Sequence, residues 1–155
     1  MSYYADEKNF EIKSPVDGAI LDISKVDDYV FSKKLAGDGV AVRFKTNKIT
    51  SPINGIVKLV LCTKNGVGIE SENGIEVLLH INVEKVANKK GFCLKVNEGD
   101  TVNIGDDILC IDDSVLKNEE LTLCVIVTNM NDVKEIHKNS DHMVSREEPL
   151  FAVSI

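Results

Sequence analysis

Short runs of Val, Ile and Leu, each closed by Gly, Asn or Asp, recur along the chain. That rhythm suits strands joined by tight turns. Branched side chains pack well on a pleated surface, and Gly, Asn and Asp tolerate the backbone angles of turns. The runs are Ala19 to Ile23, Gly39 to Phe44, Gly55 to Leu61, Gly66 to Glu70, Glu76 to Val83, Phe92 to Val96, Asp107 to Ile111, Leu121 to Thr128 and Leu150 to Ile155. Glu72-Asn73-Gly74 marks a tight hairpin. Aromatics are only 5% of residues and Trp is absent, so the core falls to aliphatic side chains. With 155 residues and 43% hydrophobic content, one domain with a full core is expected. The pattern predicts an all-β chain built as a sandwich or barrel. Two short helices are expected within it, Asp113 to Glu120 and Asn131 to Lys138. The second has Asn131 as its cap and Val133 and Ile136 on one side.

One stretch is repeated. Ser14-Pro15-Val16-Asp17-Gly18 returns as Ser51-Pro52-Ile53-Asn54-Gly55, 37 residues later, and each copy opens a strand after a Pro-led turn. The echo predicts a pseudo-symmetric β-fold. A second pattern, Glu98-Gly99-Asp100 followed by Gly105-Asp106-Asp107, resembles half of a biotinyl or lipoyl carrier domain. Such carriers display a lysine on the next hairpin, whereas here Cys110-Ile111-Asp112-Asp113 follows, so shared hairpin geometry is the better reading.

The net charge of −7 and the lack of a basic cluster argue against nucleic-acid grooves and anionic membranes, and suit small basic protein partners. Met1 to Phe10 has no apolar run and Leu121 to Val127 is too short to span a bilayer, so a cytoplasmic protein is expected. Cys62, Cys93, Cys110 and Cys124 form no CxxC pair and read as reduced core thiols.

Three histidines remain as candidates for chemistry. His137, placed in the later helix, and His142, in a polar loop, read as surface residues. His80 interrupts Ile75-Glu76-Val77-Leu78-Leu79-His80-Ile81-Asn82-Val83. Strand side chains alternate, so Val77, Leu79, Ile81 and Val83 face the core and Leu78, His80 and Asn82 face outward. On pattern alone His80 is either a hydrogen-bonded structural residue or a nucleophile. No Ser-His-Asp or Cys-His order, HExxH, HxH, P-loop or GxGxxG accompanies it. Phosphoryl transfer through the imidazole nitrogen is the chemistry open to a single histidine.

The ordered set Ser14-Pro15-Val16-Asp17-Gly18, Val30-Phe31-Ser32, Gly37-Asp38-Gly39-Val40-Ala41-Val42, Ser51-Pro52-Ile53-Asn54-Gly55, Gly68-Ile69-Glu70-Ser71, Asn73 to Ile81, Glu98-Gly99-Asp100 and Val127-Thr128-Asn129 resembles the glucose-family enzyme IIA of the bacterial phosphoenolpyruvate-dependent sugar phosphotransferase system. The resemblance covers nearly everything after residue 12. It implies an antiparallel β-sandwich of the duplicated hybrid-motif type over 13–155, preceded by a flexible segment 1–12. It implies a phosphocarrier that accepts a phosphoryl group from the carrier protein HPr and passes it to a cysteine of a IIB domain. His80 takes the position of the phosphorylated histidine. Phe31, Leu35, Leu61, Val67 and Leu78 match its apolar surround, and Asp28 and Glu84 match acidic positions that meet partner arginines.

Two departures stand out. Asn65 replaces the second active-site histidine of the family, while Thr63, which orients that histidine, is kept. Asn82 and Glu84 replace the usual Gly and Asp. An amide can donate a hydrogen bond to a phosphoryl oxygen but cannot become a cation. Acceptance on His80 with weakened onward donation is the expectation. The same change leaves the zinc site of some members one ligand short, so no intrinsic metal and no cofactor are expected. A monomer is expected. The alternative is a regulatory module of the same fold that docks proteins without efficient relay.

Overall fold

A computed structural model describes residues 9–82, 91–117 and 120–155. The strands run, in chain order, β1 Asn9–Lys13, β2 Gly18–Asp22, β3 Asp38–Phe44, β4 Lys48–Thr50, β5 Gly55–Val60, β6 Gly66–Glu70, β7 Glu76–Asn82, β8 Phe92–Leu94, β9 Thr101–Val102, β10 Asp107–Ile111, β11 Leu121–Val127, β12 Glu135–Lys138, β13 Met143–Val144 and β14 Pro149–Ser154. One eight-stranded sheet has the order β13-β2-β3-β11-β7-β6-β5-β9, and two three-stranded sheets have the orders β1-β14-β12 and β4-β10-β8. Neighbouring strands are antiparallel throughout. One core joins all three sheets. Val42, Leu79, Ile81 and Leu123 from the large sheet meet Ile12 and Phe151 from one small sheet and Ile49, Phe92 and Leu109 from the other. The architecture is an antiparallel β-sandwich.

The repeated Ser-Pro segments set this arrangement. The buried Ser14 and Ser51 hydroxyls each donate to the carbonyl two residues on, Val16 and Ile53, both at 2.7 Å. The segments also grip each other. The Lys13 N–H donates to the Pro52 carbonyl at 3.0 Å, and the Thr50 N–H donates to the Pro15 carbonyl at 3.1 Å. Proline has no N–H to give, so its carbonyl is its only backbone link. Outer partners repeat as well. Ser14 N–H reaches Glu148 and Ser51 N–H reaches Asp106. Asp17 accepts from the Arg146 N–H and Asn54 from the Ile104 N–H, each at 2.7 Å. Every bond has a counterpart, so the two small sheets are pseudo-twofold copies, with β4, β10 and β8 matching β1, β14 and β12.

Four expectations change. Asn131 to Lys138 is not a helix. Met130–Asp132 forms a single 3₁₀ turn, and Glu135–Lys138 is an edge strand paired with β14. A helix this short cannot recover its nucleation cost, whereas pairing Ile136 with Val153 adds ladder bonds and burial. The Lys138 ammonium then meets the Asp38 carboxylate at 2.7 Å. The helix expected over Asp113 to Glu120 spans only Asp113–Leu116 of the described residues. Residues 9–12 are not a loose tail: β1 pairs with β14 and Ile12 is fully buried. Of the four cysteines only Cys124 is a core thiol. Cys62 and Cys93 are exposed and Cys110 is half-buried, because the neighbours Phe92, Leu109 and Ile111 take the inward positions of β8 and β10.

Ser14→Ala and Ser51→Ala each strand a buried carbonyl at an equivalent place. Each is expected to lower unfolding stability by about 1–2 kcal/mol in urea titrations, and by similar amounts. Ser140→Ala, at an exposed position, is the control and should change nothing.

Candidate functional site

Strand β7 alternates as its sequence requires. Val77, Leu79 and Ile81 are buried, and Leu78, His80 and Asn82 lie half-buried on the other face. Val83 and Glu84 lie outside the described residues. Residues 23–36 cover part of that outer face. A 3₁₀ turn, Ile23–Lys25, and a one-turn helix, Tyr29–Ser32, bring Ile23, Val26 and Phe31 onto Ala41 of β3, Cys124 and Ile126 of β11, and Leu78. The helix starts where it does because the Asp28 carboxylate accepts the Val30 N–H at 2.9 Å. The Asn82 amide donates to the Asp27 carbonyl at 3.3 Å and ties this loop to β7. Phe31 is thereby held against His80, with ring centroids 4.8 Å apart and planes tilted by 37°.

In the ladder, His80 stands between Cys124 on β11 and Gly66 on β6. A Cβ on Gly66 would come within 2.4 Å of Leu61 Cδ1, so the glycine leaves room for Leu61 to lie across it. Leu61 therefore leans over the glycine that neighbours His80. Two residues along the same face, Leu59, Gly68, Leu78 and Thr128 line a hollow of about 110 Å³.

Burial is the main influence on the imidazole. It holds the His80 pKa below the ordinary 6.5, and the negative charge of Asp28 opposes it more weakly. His80 is therefore neutral at neutral pH. Its Nδ1 is enclosed and has no hydrogen-bond partner among the described residues. Burial, with help from Asp28, also pushes the neighbouring Cys124 thiol up to about 12.

Asn65 is buried in the turn that leads into β6. Its amide donates to the Ile81 carbonyl at 3.1 Å and accepts the Thr63 hydroxyl. Its own carbonyl takes the Ile81 N–H at 2.8 Å. Thr63 and Asn65 are thus brought together and stitched to the backbone one residue beyond His80. The described bonds of the Asn65 side chain go to Thr63 and Ile81, not to the imidazole.

The expected apolar surround divides. Leu35 is 65% exposed, and Leu61 and Leu78 are half-buried, so all three present surface. Phe31 and Val67 do not. They are 6% and 2% exposed and belong to the packing, Phe31 under the loop and Val67 in the main core. Phe31 lies on the inner side of a helix too short for its sequence to define a face, whereas Val67 shares the core face of β6 with Ile69. Sequence reading missed Cys124, Gly66, Leu59 and Asp27 as neighbours of the site. The long apolar run of β11, which needs a buried neighbour on each side, was the signal available for Cys124. Among the described residues, no group of three His, Cys, Asp or Glu side chains is placed to hold a metal ion.

Comparison with known proteins assigns the chain and its fold to a class. Residues 10–133 match the family model of the phosphoenolpyruvate-dependent sugar phosphotransferase system, EIIA 1. The chain is 35% identical over 146 residues to the glucose-specific EIIA component of Buchnera aphidicola, covering 90% of this chain and 91% of that protein. It is 38% identical over 123 residues to the glucose-specific EIICBA component of Staphylococcus carnosus, covering 77% of this chain but only 18% of that longer protein. Among solved structures, glucose permease IIA from Mycoplasma capricolum superposes with a TM-score of 0.85 at 30% identity, covering 98% of this chain and 99% of that one. The chain belongs to the EIIA 1 family of the sugar phosphotransferase system.

The electrostatics give a titration test. Phe31→Ala opens the ring to water and is expected to raise the His80 pKa toward 6.5. Asp28→Asn removes the opposing charge and is expected to lower it. NMR titration of the His80 ring protons reads both. The unfolded chain binds the His80 proton more readily than the folded one, so this residue's contribution to stability is complete above about pH 6.5 and is lost as pH falls below it.

Proposed function

We propose that this protein is a phosphocarrier in sugar uptake, taking a phosphoryl group from phospho-HPr onto His80 and passing it to a cysteine of a IIB domain. The observation that supports the reading most is the state of the imidazole: neutral, fixed on a rigid strand, and presented on the outer face of the sheet in a chain of the EIIA family. For transfer through Nε2, that nitrogen supplies the lone pair and Nδ1 holds the ring proton. In the step proposed, Nε2 attacks phosphorus. The bond from phosphorus to the HPr histidine nitrogen breaks as the bond to Nε2 forms, and the donor imidazole leaves. Such transfers depend on positioning and charge compensation more than on covalent help.

The surface around His80 fits docking. Leu35, Leu61, Leu78 and the nearby hollow offer an apolar seat, and the Asp28 carboxylate that starts the Phe31 helix adds a negative charge felt at His80. A basic partner such as HPr suits that charge. Asn65 is the weak point of the relay. It contributes a neutral amide already engaged with Ile81 and Thr63, where a histidine would bring a positive charge to the moving oxygens. Donation to IIB is the half that suffers. The reading places the protein in the cytoplasm as a monomer. Among the described residues no helix is long and apolar enough to cross a membrane.

Incubation with phosphoenolpyruvate, enzyme I and HPr is expected to place one acid-labile phosphoryl group on the wild type and none on His80→Ala. An unlabelled wild type in the presence of charged HPr overturns the proposal. In a chase with a IIB domain, Asn65→His is expected to speed donation roughly tenfold, the difference between a neutral and a charge-assisted hydrogen bond. Equal rates make the substitution neutral. A labelled protein that gives its phosphoryl group to no IIB domain supports the regulatory alternative.

A further inference from the structure

We propose that Cys93 and Cys110 are an oxidation site, closing to a reversible disulfide across strands β8 and β10. The two residues stand directly opposite each other in the antiparallel ladder. Flanking bonds fix the kind of position. The Asp112 N–H donates to the Gly91 carbonyl at 2.8 Å, and the Lys95 N–H donates to the Ile108 carbonyl at 2.9 Å. Cys93 and Cys110 fall midway between these pairs and so occupy the hydrogen-bonded class of site, where Cα atoms lie about 5.5 Å apart. Disulfides span Cα separations of about 4.4 to 6.8 Å, most often 5.5 to 6 Å. The Cβ atoms of a hydrogen-bonded pair lie about 5.5 Å apart, wider than the roughly 3.5–4.5 Å of a disulfide, so closure draws the two strands together and leaves a strained, easily reduced bond.

Side-chain direction agrees. Phe92, Leu109 and Ile111 take the buried positions of the same strands, so the two cysteines share the outward face, with Cys93 exposed and Cys110 half-buried. The Cys93 sulfur now rests 3.9 Å from the Leu94 carbonyl, turned along its own strand. Exposed side chains change rotamer freely, so the Cys93 sulfur is not held in that position. The pair is peculiar to one half of the pseudo-twofold. The corresponding ladder position between β12 and β14 holds His137 opposite Ala152. It therefore does not follow from the duplication.

The oxidant is a low-molecular-weight disulfide. The accessible Cys93 thiolate attacks it, forming a mixed disulfide and releasing one thiol. The Cys110 thiolate then attacks the Cys93 sulfur and releases the second. Two protein thiols become one disulfide, one external disulfide becomes two thiols, and the protons are transferred to the released thiols. An exposed cross-strand disulfide is of the labile kind that thiol reductants reopen.

Native protein is incubated with oxidised glutathione, and its thiols are counted before and after. The count is expected to fall from four to two, and a non-reducing digest should yield one peptide joining Cys93 to Cys110. Dithiothreitol should restore all four thiols. Cys62→Ser, which removes the other exposed cysteine, should leave the linkage intact, whereas Cys93→Ser should abolish it. Four surviving thiols, a persistent glutathione adduct on Cys93 without the internal link, or linkage only between molecules through Cys62 would each overturn the proposal.

Discussion

The exchange between Pro15 and Pro52 is the contact on which the rest of the molecule depends. Two carbonyls without companion N–H groups accept from Thr50 and Lys13, and so lock two distant parts of the chain together. From this junction the chain leaves in related directions. Strand β2 starts at Gly18 and β5 at Gly55, on opposite flanks of the large sheet. The partners of the junction, Asp106 and Glu148, lead into β10 and β14, the central strands of the two small sheets. A buried polar cluster is tolerable here because each group is satisfied and each bond is made twice.

The duplication accounts for the scaffold but not for the site. The site comes from what breaks the symmetry, the segment 23–36 laid over β3, β11 and β7. Asp28 does two things there. Its carboxylate starts the helix that presents Phe31, and its charge moderates the penalty of burying His80. Burial remains the stronger influence, so the imidazole stays a free base. Behind β7, Asn65, Ile81, Ile108 and Leu109 border a void of about 10 Å³, which places the sheet that contains β10 directly at the back of the active strand.

Strand β7 was legible because its period-two alternation is unbroken and one face is buried. Strand β6 was legible by alternation as well, whereas β3, β10 and β11 were legible as apolar runs, β3 and β11 being buried on both faces. The short edges were not. Strand β4 is three residues and β13 is two, too short for any periodicity to register. Strand β12 misled because Glu135-Ile136-His137-Lys138 alternates as well as any strand, yet sits after Asn131, a good helix cap, in a charged helix-compatible stretch. Its partner β14 decided the matter, and that pairing is non-local. At the site, the strand position of His80 and the closeness of Thr63 to Asn65 could be picked out, and the burial of Val67 follows from the alternation of β6, whereas the burial of Phe31 could not. Exposure of Phe31 depends on how residues 23–36 fold over the sheet, which no local pattern encodes.

The position of Cys124 has a consequence for the order of transfer. On the proposed relay, the group that receives phosphate from His80 is a cysteine on another protein, yet this protein has a cysteine of its own in direct register with His80. That internal thiol is the same kind of acceptor. Its environment removes it from competition. Burial pushes its pKa up to about 12, so at neutral pH it stays a thiol, and the thiolate is the reactive form. The buried thiol is insulated against short-circuiting the phosphoryl group. The outgoing path is thus left to whichever nucleophile arrives ionised at the surface.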